Sequence, residues 1–278
     1  MRTIAIVNQK GGCGKTTTTV NLAGCLERLG FRVLVVDLDP QAHATLALGV
    51  DPERLDENLY EVLAEPGAAV RLPAVLRTLG ERLALAPSGI ALSALEQKLA
   101  GDLGEDRTTR LAAALAPVSA RFDFALIDCP PNVGVLTFNA LRAADEVVVP
   151  LETSPFAMHG VEKLLETLAL LAERIGCEPV VRILPTLFDG RTRYARETLG
   201  EIRERFGDLC FDTVIRANVK LREAARAGVP IARFARTANG ALDYAALAAE
   251  LEASPPERRE GAPARLEPTR REPLLALR

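Results

Sequence analysis

Residues 10–17 read Lys10-Gly11-Gly12-Cys13-Gly14-Lys15-Thr16-Thr17. An apolar stretch, Thr3-Ile4-Ala5-Ile6-Val7-Asn8, precedes them, and Thr18-Thr19-Val20-Asn21-Leu22-Ala23-Gly24-Cys25-Leu26 follows. The first flank predicts a buried strand and the second a helix, so a glycine-rich turn joins strand to helix. That order is the setting of a phosphate-binding P-loop. Gly11, Gly12 and Gly14 let successive backbone N–H groups, with those of Cys13, Thr16 and Thr17, turn inward around an anion. The new helix aims its positive end at the same place. Lys15 brings a point charge to the β- and γ-phosphates, and the Thr16 hydroxyl is a ligand for Mg²⁺. A glycine-rich turn without a ligand is the bland alternative, and both flanks argue against it.

Outward from the loop, strand-like and helix-like stretches alternate. Residues 31–36, 122–127, 146–151 and 180–184 are short, continuous and β-branched, as parallel strands covered on both faces are. Val161, Leu164, Leu165, Leu168 and Leu171 recur on one helical face, Tyr194 to Phe206 reads as a second helix, and Leu242 to Leu251 as the last. The alternation predicts a doubly wound α/β fold, a mostly parallel sheet flanked by helices. Residues 51–117 are proline-punctuated and predict one or two helices with a short strand at Leu83-Ala84-Leu85-Ala86. The expected organisation is one domain over residues 1–253 and a disordered Pro/Arg/Glu-rich tail over 254–278.

Arg and Lys number 34 against 37 Asp and Glu, so no global polycation exists and any nucleic-acid contact must come from a local patch. Lysine occurs only at Lys10, Lys15, Lys98, Lys163 and Lys220, which makes two in one loop informative. Cys13, Cys25, Cys129, Cys177 and Cys210 form no C-x-x-C pair and suit reduced thiols in a cytoplasmic protein. Cys13 and Cys129 both belong to loops expected to face the nucleotide; they read as small buried fillers, with a redox pair as the alternative. No apolar run reaches the roughly 20 residues that span a membrane, and Pro273 interrupts the short apolar C-terminus.

Lys10 is surplus to a simple cradle, because Lys15 already serves the phosphates. A cation at the far rim makes sense if it reaches another subunit's phosphates, as an arginine finger does. This lysine-Gly-Gly-x-Gly-Lys-Thr form resembles the deviant Walker A box of the ParA/MinD class of P-loop ATPases. Val35-Val36-Asp37-Leu38-Asp39-Pro40-Gln41 resembles the segment after that class's second strand, and Leu126-Ile127-Asp128-Cys129-Pro130-Pro131 its Walker B strand and switch II. Asn8-Gln9, Asp189-Gly190-Arg191-Thr192 and Val214-Ile215-Arg216-Ala217-Asn218-Val219-Lys220-Leu221 are similar to the chromosomal Soj/ParA branch. The resemblance covers about residues 3 to 252.

A carboxylate at the end of a buried strand is costly unless it meets a cation or donors, so Asp128 is expected near Mg²⁺. By resemblance, Asp39 orients the attacking water, Asp37 assists in the Mg²⁺ water shell, Gly134 offers its N–H to the γ-phosphate, and Asn218 meets the adenine edge. Ala42-His43 replaces the usual Gly-Asn; His43 reads as a solvent-facing switch residue. No Asn-Lys-x-Asp guanine signature occurs, which favours ATP. Arg191 and Lys220 match the family's DNA-contacting positions, within a basic set that includes Arg222. An ordinary solvated face, balanced by Glu197, Glu201, Glu204 and Glu223, is the alternative. The resemblance implies an ATP-dependent homodimer on nucleoid DNA, bound without sequence reading, with a ParB-like partner that stimulates slow hydrolysis. A MinD-like positioner and a metabolic or assembly P-loop ATPase are the other readings. The first lacks a C-terminal amphipathic helix, and the iron–sulfur variants of the second lack C-x-x-C ligands.

Overall fold

The computed structural model describes residues 1–65, 70–101, 104–154, 157–177 and 179–254. Seven strands form one sheet: β1 (Arg2–Ile6), β2 (Val33–Asp37), β3 (Arg77–Thr78), β4 (Leu83–Ala86), β5 (Phe124–Asp128), β6 (Glu146–Glu152) and β7 (Val180–Thr186). Their order is β3-β4-β2-β5-β1-β6-β7. Every neighbouring pair is parallel except the two-residue β3, which runs antiparallel to β4. The doubly wound sheet expected from the alternation is present.

The apolar strands feed two cores because alternate side chains point to opposite faces. Ala5, Leu34, Val36, Ala125, Ile127, Val147 and Val149 pack on one side. Ile4, Ile6, Val33, Val35, Leu126 and Val148 pack on the other. Covering both faces explains why these strands read as continuous runs rather than as alternating patterns. Each large aliphatic side chain removed from water contributes roughly 1.5–3 kcal/mol, so both helical layers are bound firmly to the sheet.

Twelve α-helices lie among the described residues: α1 (Lys15–Arg28), α2 (His43–Ala47), α3 (Leu59–Leu63), α4 (Leu72–Val75), α5 (Ala91–Gly101), α6 (Arg110–Leu115), α7 (Val135–Ala143), α8 (Ala157–Ile175), α9 (Arg193–Phe206), α10 (Val219–Arg226), α11 (Ile231–Phe234) and α12 (Asn239–Ala253). Helix α8 buries Val161, Leu164, Leu165 and Leu168, as their spacing predicts. The described residues of 51–117 contain four α-helices where one or two were expected. Three of them, α3, α4 and α6, are four to six residues long. Such pieces do not persist alone in water; here Leu59, Leu63, Leu72, Val75, Leu111 and Leu115 are sealed into the first core. Of the expected tail, only Ser254, which closes α12, falls within the described residues. No described helix is long and apolar enough to cross a membrane.

Two close contacts hold α1, which carries the P-loop threonines. Thr18 Oγ1 lies 3.2 Å from the Tyr244 hydroxyl of α12. Gly24 lets Pro230 approach so closely that a Cβ there would stand 2.4 Å from the proline Cβ.

Candidate nucleotide site

The P-loop leaves the end of β1 at the centre of the sheet, beside the ends of β5 and β6. Gly12 and Gly14 have φ of 76° and 98°, in the left-handed region that glycine enters freely. Ideal Cβ atoms at Gly11, Gly12 and Gly14 would meet nothing within 4 Å, so the loop is an open cradle. Gly14 is the N-cap of α1, and no side chain caps that helix. Its first-turn N–H groups therefore face the cradle, where an anion satisfies both them and the helix dipole. Cys13 is buried beneath the loop, and its carbonyl accepts a 2.8 Å hydrogen bond from Thr186 Oγ1 at the end of β7.

Lys15 is 8% exposed, and among the described residues its ammonium reaches only the Lys10 carbonyl, at 3.5 Å. Thr16 Oγ1 donates to Asp128 Oδ2 at 2.7 Å, and Thr19 Oγ1 to Asp128 Oδ1 at 3.2 Å. Thr16 and Thr19 share a helical face, three residues apart. Asp128 ends β5 in register with Asp37 at the end of β2. Both are fully buried. Burial, with the charge of Asp39 added, pushes the Asp128 carboxyl up to about 7 against the pull of Thr16 and Lys15. Burial and then the Asp128 charge push Asp37 well above the usual carboxylate range, while hydrogen bonds from Thr45 oppose them.

Asp37 is held from three sides. The Thr45 N–H and Oγ1 both donate to its Oδ2 at 2.7 Å, and the Asp39 N–H donates to its Oδ1 at 3.2 Å. Ser88, after β4, ties this turn down: its N–H donates to Thr45 Oγ1 at 3.0 Å and its Oγ donates to the Asp39 carbonyl at 2.5 Å. The Asp39 carboxylate accepts only from the Gln41 N–H, at 2.9 Å, which leaves its second oxygen uncommitted among the described residues. Ala42 follows at φ 54°, in the left-handed region. His43 opens α2 and is exposed.

Buried carboxylates beside a threonine hydroxyl form a hard-oxygen set that suits Mg²⁺. No described group of three or more His, Cys, Asp or Glu could hold a metal ion alone. The Thr16 hydroxyl, 2.7 Å from Asp128 Oδ2, is the neutral oxygen that would join the carboxylates in holding the ion. When bound there, Mg²⁺ neutralises phosphate charge.

Asn218 caps α10, its Oδ1 accepting from the Lys220 N–H at 2.9 Å. The neighbouring Arg216 is clasped by Asp243, with bonds of 2.5–3.1 Å. A parallel bridge pairs Phe188 with Arg216. It carries the two basic segments outward together: Arg191 lies three residues beyond one side and Lys220 four beyond the other. Arg191 is 90% exposed and chelates Asp189, Lys220 pairs with Glu223 at 2.7 Å, and Arg222 is exposed.

Sequence reading missed Thr19, Thr45, Ser88 and Thr186 as supports of the site. Only Thr19 carried a signal, its spacing from Thr16. The others come from separate elements whose meeting no local pattern announces.

What the fold and this site define is a P-loop ATPase. Residues 1–180 match the family described as an AAA domain. The chain is 43% identical to the chromosome-partitioning ATPase Soj of Thermus thermophilus, over 90% of this chain and 95% of the relative. It is 38% identical to the sporulation initiation inhibitor protein Soj of Bacillus subtilis, over 90% and 98%. A solved structure of cobyrinic acid a,c-diamide synthase from Mycobacterium smegmatis, with bound ATP analogue and magnesium, is similar with a TM-score of 0.76 at 35% identity, covering 90% of this chain and 93% of that one. The chain belongs to the Soj/ParA family of chromosome-partitioning ATPases.

Proposed function

We propose that this chain is an ATP- and Mg²⁺-dependent partitioning ATPase of the cytoplasm. ATP closes a homodimer, the dimer holds nucleoid DNA without sequence preference, and a ParB-like partner on the cargo stimulates hydrolysis and release. The observation that carries the reading is one connected layout. An open phosphate cradle has Lys10 on its outer rim, and two exposed basic segments are brought side by side by the bridge at Phe188 and Arg216.

Each residue has a part. The cradle N–H groups and Lys15 bind the phosphates. Thr16 and Asp128 hold the metal's oxygen shell, and Asp37 and Thr45 fix the turn that presents Asp39. Asp39 orients water toward the γ-phosphate with its uncommitted oxygen. Lys10 approaches the phosphates of the second subunit. Asn218, whose amide nitrogen has no partner among the described residues, meets the adenine edge. Phosphoryl transfer needs mostly positioning and charge stabilisation, so these parts suffice for slow turnover.

On the outer face, Arg191, Lys220 and Arg222 contact DNA phosphates. The acids beside Arg191 and Lys220 do not preclude this. Exposed ion pairs of this kind are weak and screened by water and salt, and polyanionic DNA displaces them readily. The dimer doubles the patch about its two-fold axis, so binding requires ATP and weakens steeply with salt.

The test is retention of mixed-sequence duplex DNA by the ATP-bound dimer. Arg191→Glu together with Lys220→Glu should abolish retention while ATP-driven dimerisation persists in light scattering. Undiminished retention would falsify this surface as the DNA site. The name of the Mycobacterium smegmatis neighbour favours a second reading, a metabolic synthase. No DNA binding by the ATP-bound, unmodified chain would move the conclusion there.

A further inference from the structure

The turns that follow β2 and β5 leave neighbouring strands, whose last residues Asp37 and Asp128 lie opposite each other. One helix, α5, is fastened to both turns. The first carries Asp39, and Ser88 Oγ donates to the Asp39 carbonyl at 2.5 Å. Ser88 leads straight into α5 through two bonds of 3.0 Å, from the Leu92 N–H to the Gly89 carbonyl and from the Ser93 N–H to the Ile90 carbonyl. The second turn, residues 130–134, runs from β5 into α7. Eight residues after Ser88, Glu96 of α5 meets it. Glu96 Oε1 accepts from Asn132 Nδ2 at 3.1 Å. The same carboxylate lies against Gly134, where a Cβ would overlap Oε1 and stand 3.1 Å from the carboxyl carbon. Gly134 has extended backbone, φ −102°, which any residue adopts. Its missing side chain therefore serves the approach of Glu96. Glu96 fills the place of a side chain and leaves the Gly134 N–H clear; that N–H has no partner among the described residues. Both helices are held firmly, because Leu92, Leu95 and Leu99 of α5 and Val135 and Leu136 of α7 are buried in the first core. Thr137 Oγ1 closes the turn from its other side, donating to the Asn132 carbonyl at 2.7 Å.

We propose that Glu96 is a positioning residue for phosphoryl transfer: through α5 it holds the Gly134 N–H at a set distance from the Asp39 turn, so that both address one γ-phosphate. The inference rests on the reading of Asp39 and Gly134 as groups that meet that phosphate. No hydrogen bond among the described residues joins residues 39–42 directly to residues 130–134. The brace that spans them is α5, with Ser88 at one end and Glu96 in its middle. Asp39 presents the water and Gly134 a donor to the same phosphate, and a misplacement of about 1 Å costs on the order of 100-fold in rate. Glu96 touches none of the cradle that holds the other phosphates, so its effect is confined to ATP and spares ADP.

The experiment compares the full chain with Glu96→Ala and Glu96→Gln. Glu96→Ala should lower the maximal rate of phosphate release by roughly 10- to 100-fold and leave the affinity for ADP with Mg²⁺ unchanged. Without nucleotide, amide exchange across residues 132–138 should quicken in Glu96→Ala. Glu96→Gln keeps an acceptor for Asn132 in the same place, so it should restore both the rate and the slow exchange. Gly134→Ala keeps the N–H but evicts the carboxylate, which is the flexible end of its side chain. It should lose as much rate as Glu96→Ala, and the double variant should lose no more than either, because one contact is removed in all three. Losses that multiply in the double variant, Glu96→Gln as slow as Glu96→Ala, or a matching fall in ADP affinity would each overturn the positioning role. If the unmodified chain releases no phosphate from ATP, the ATPase reading fails and the inference falls with it. If the unmodified chain hydrolyses ATP and Glu96→Ala does so at the same rate, the positioning role alone is overturned.

Discussion

Replacing Asp128 with Asn should stabilise the protein when nucleotide is absent and metal is chelated. Asp128 is fully buried, and its carboxyl is pushed from 3.8 to about 7, chiefly by burial. Holding it ionised at pH 8 therefore costs about 4 kcal/mol relative to the unfolded chain. Asn fills the same space. Its Oδ1 can accept from Thr19, and its Nδ2 can donate to a rotated Thr16 hydroxyl, now 2.7 Å from Asp128 Oδ2. One rearranged hydrogen bond costs about 1 kcal/mol. The net gain at pH 8 is then about 3 kcal/mol.

The sign follows from proton linkage. Between 3.8 and about 7 the folded state binds the proton more tightly than the unfolded state does. Wild-type stability therefore falls as pH rises through that window, and the advantage of Asn shrinks toward zero near pH 5. Urea denaturation at pH 5 and pH 8 in the presence of a chelator reads the difference directly. A thermal scan at pH 8 should show the variant melting roughly 6–10 °C higher. Adding Mg²⁺ and ATP should reverse the order, because ligand stabilises only the chain that binds it well. A variant no more stable than wild type at pH 8, or a difference that does not change with pH, would refute the view that this carboxylate is held at a cost.

Three further outcomes are expected. Asp39→Ala should bind ATP within a few-fold of wild type, lose at least about 100-fold in phosphate release, and accumulate as a dimer; release at the wild-type rate would remove Asp39 from water positioning. Thr45→Val keeps the shape but strips a 2.7 Å hydrogen bond from the buried Asp37 and leaves the Ser88 N–H unpaired. It should cost about 3 kcal/mol in urea denaturation, with Thr45→Ser nearly neutral; equal losses in both would show that packing, not the hydroxyl, matters. Gly24→Ala drives a methyl to 2.4 Å from the rigid ring of Pro230, so it should lower stability by about 1–3 kcal/mol, and a neutral result would mean that α11 shifts freely away from α1.

The amino-acid sequence by itself determined the elements whose signals are local. The P-loop, the helix beginning at Lys15, the apolar strands and the strand-ending Asp128 are legible because glycine placement, apolar periodicity and strand length act over a few neighbouring residues. Residues 51–117 were under-read for the complementary reason. Helices as short as α3 and α4 have little propensity of their own and exist because the core beneath them is already formed. The supports of the site belong wholly to tertiary structure. Thr45 reaches Asp37 from eight residues away, Ser88 fastens the same turn from the loop after β4, and Thr186 props Cys13 across 173 residues. Lys10 stood out in the sequence as a surplus cation, yet its partner Glu152 lies 142 residues on. Only the parallel register of β1 against β6 brings them together. A charge can be noticed along the chain, but what it is charged against is decided in space, because hydrogen bonds and ion pairs act over a few ångströms and take no account of sequence separation.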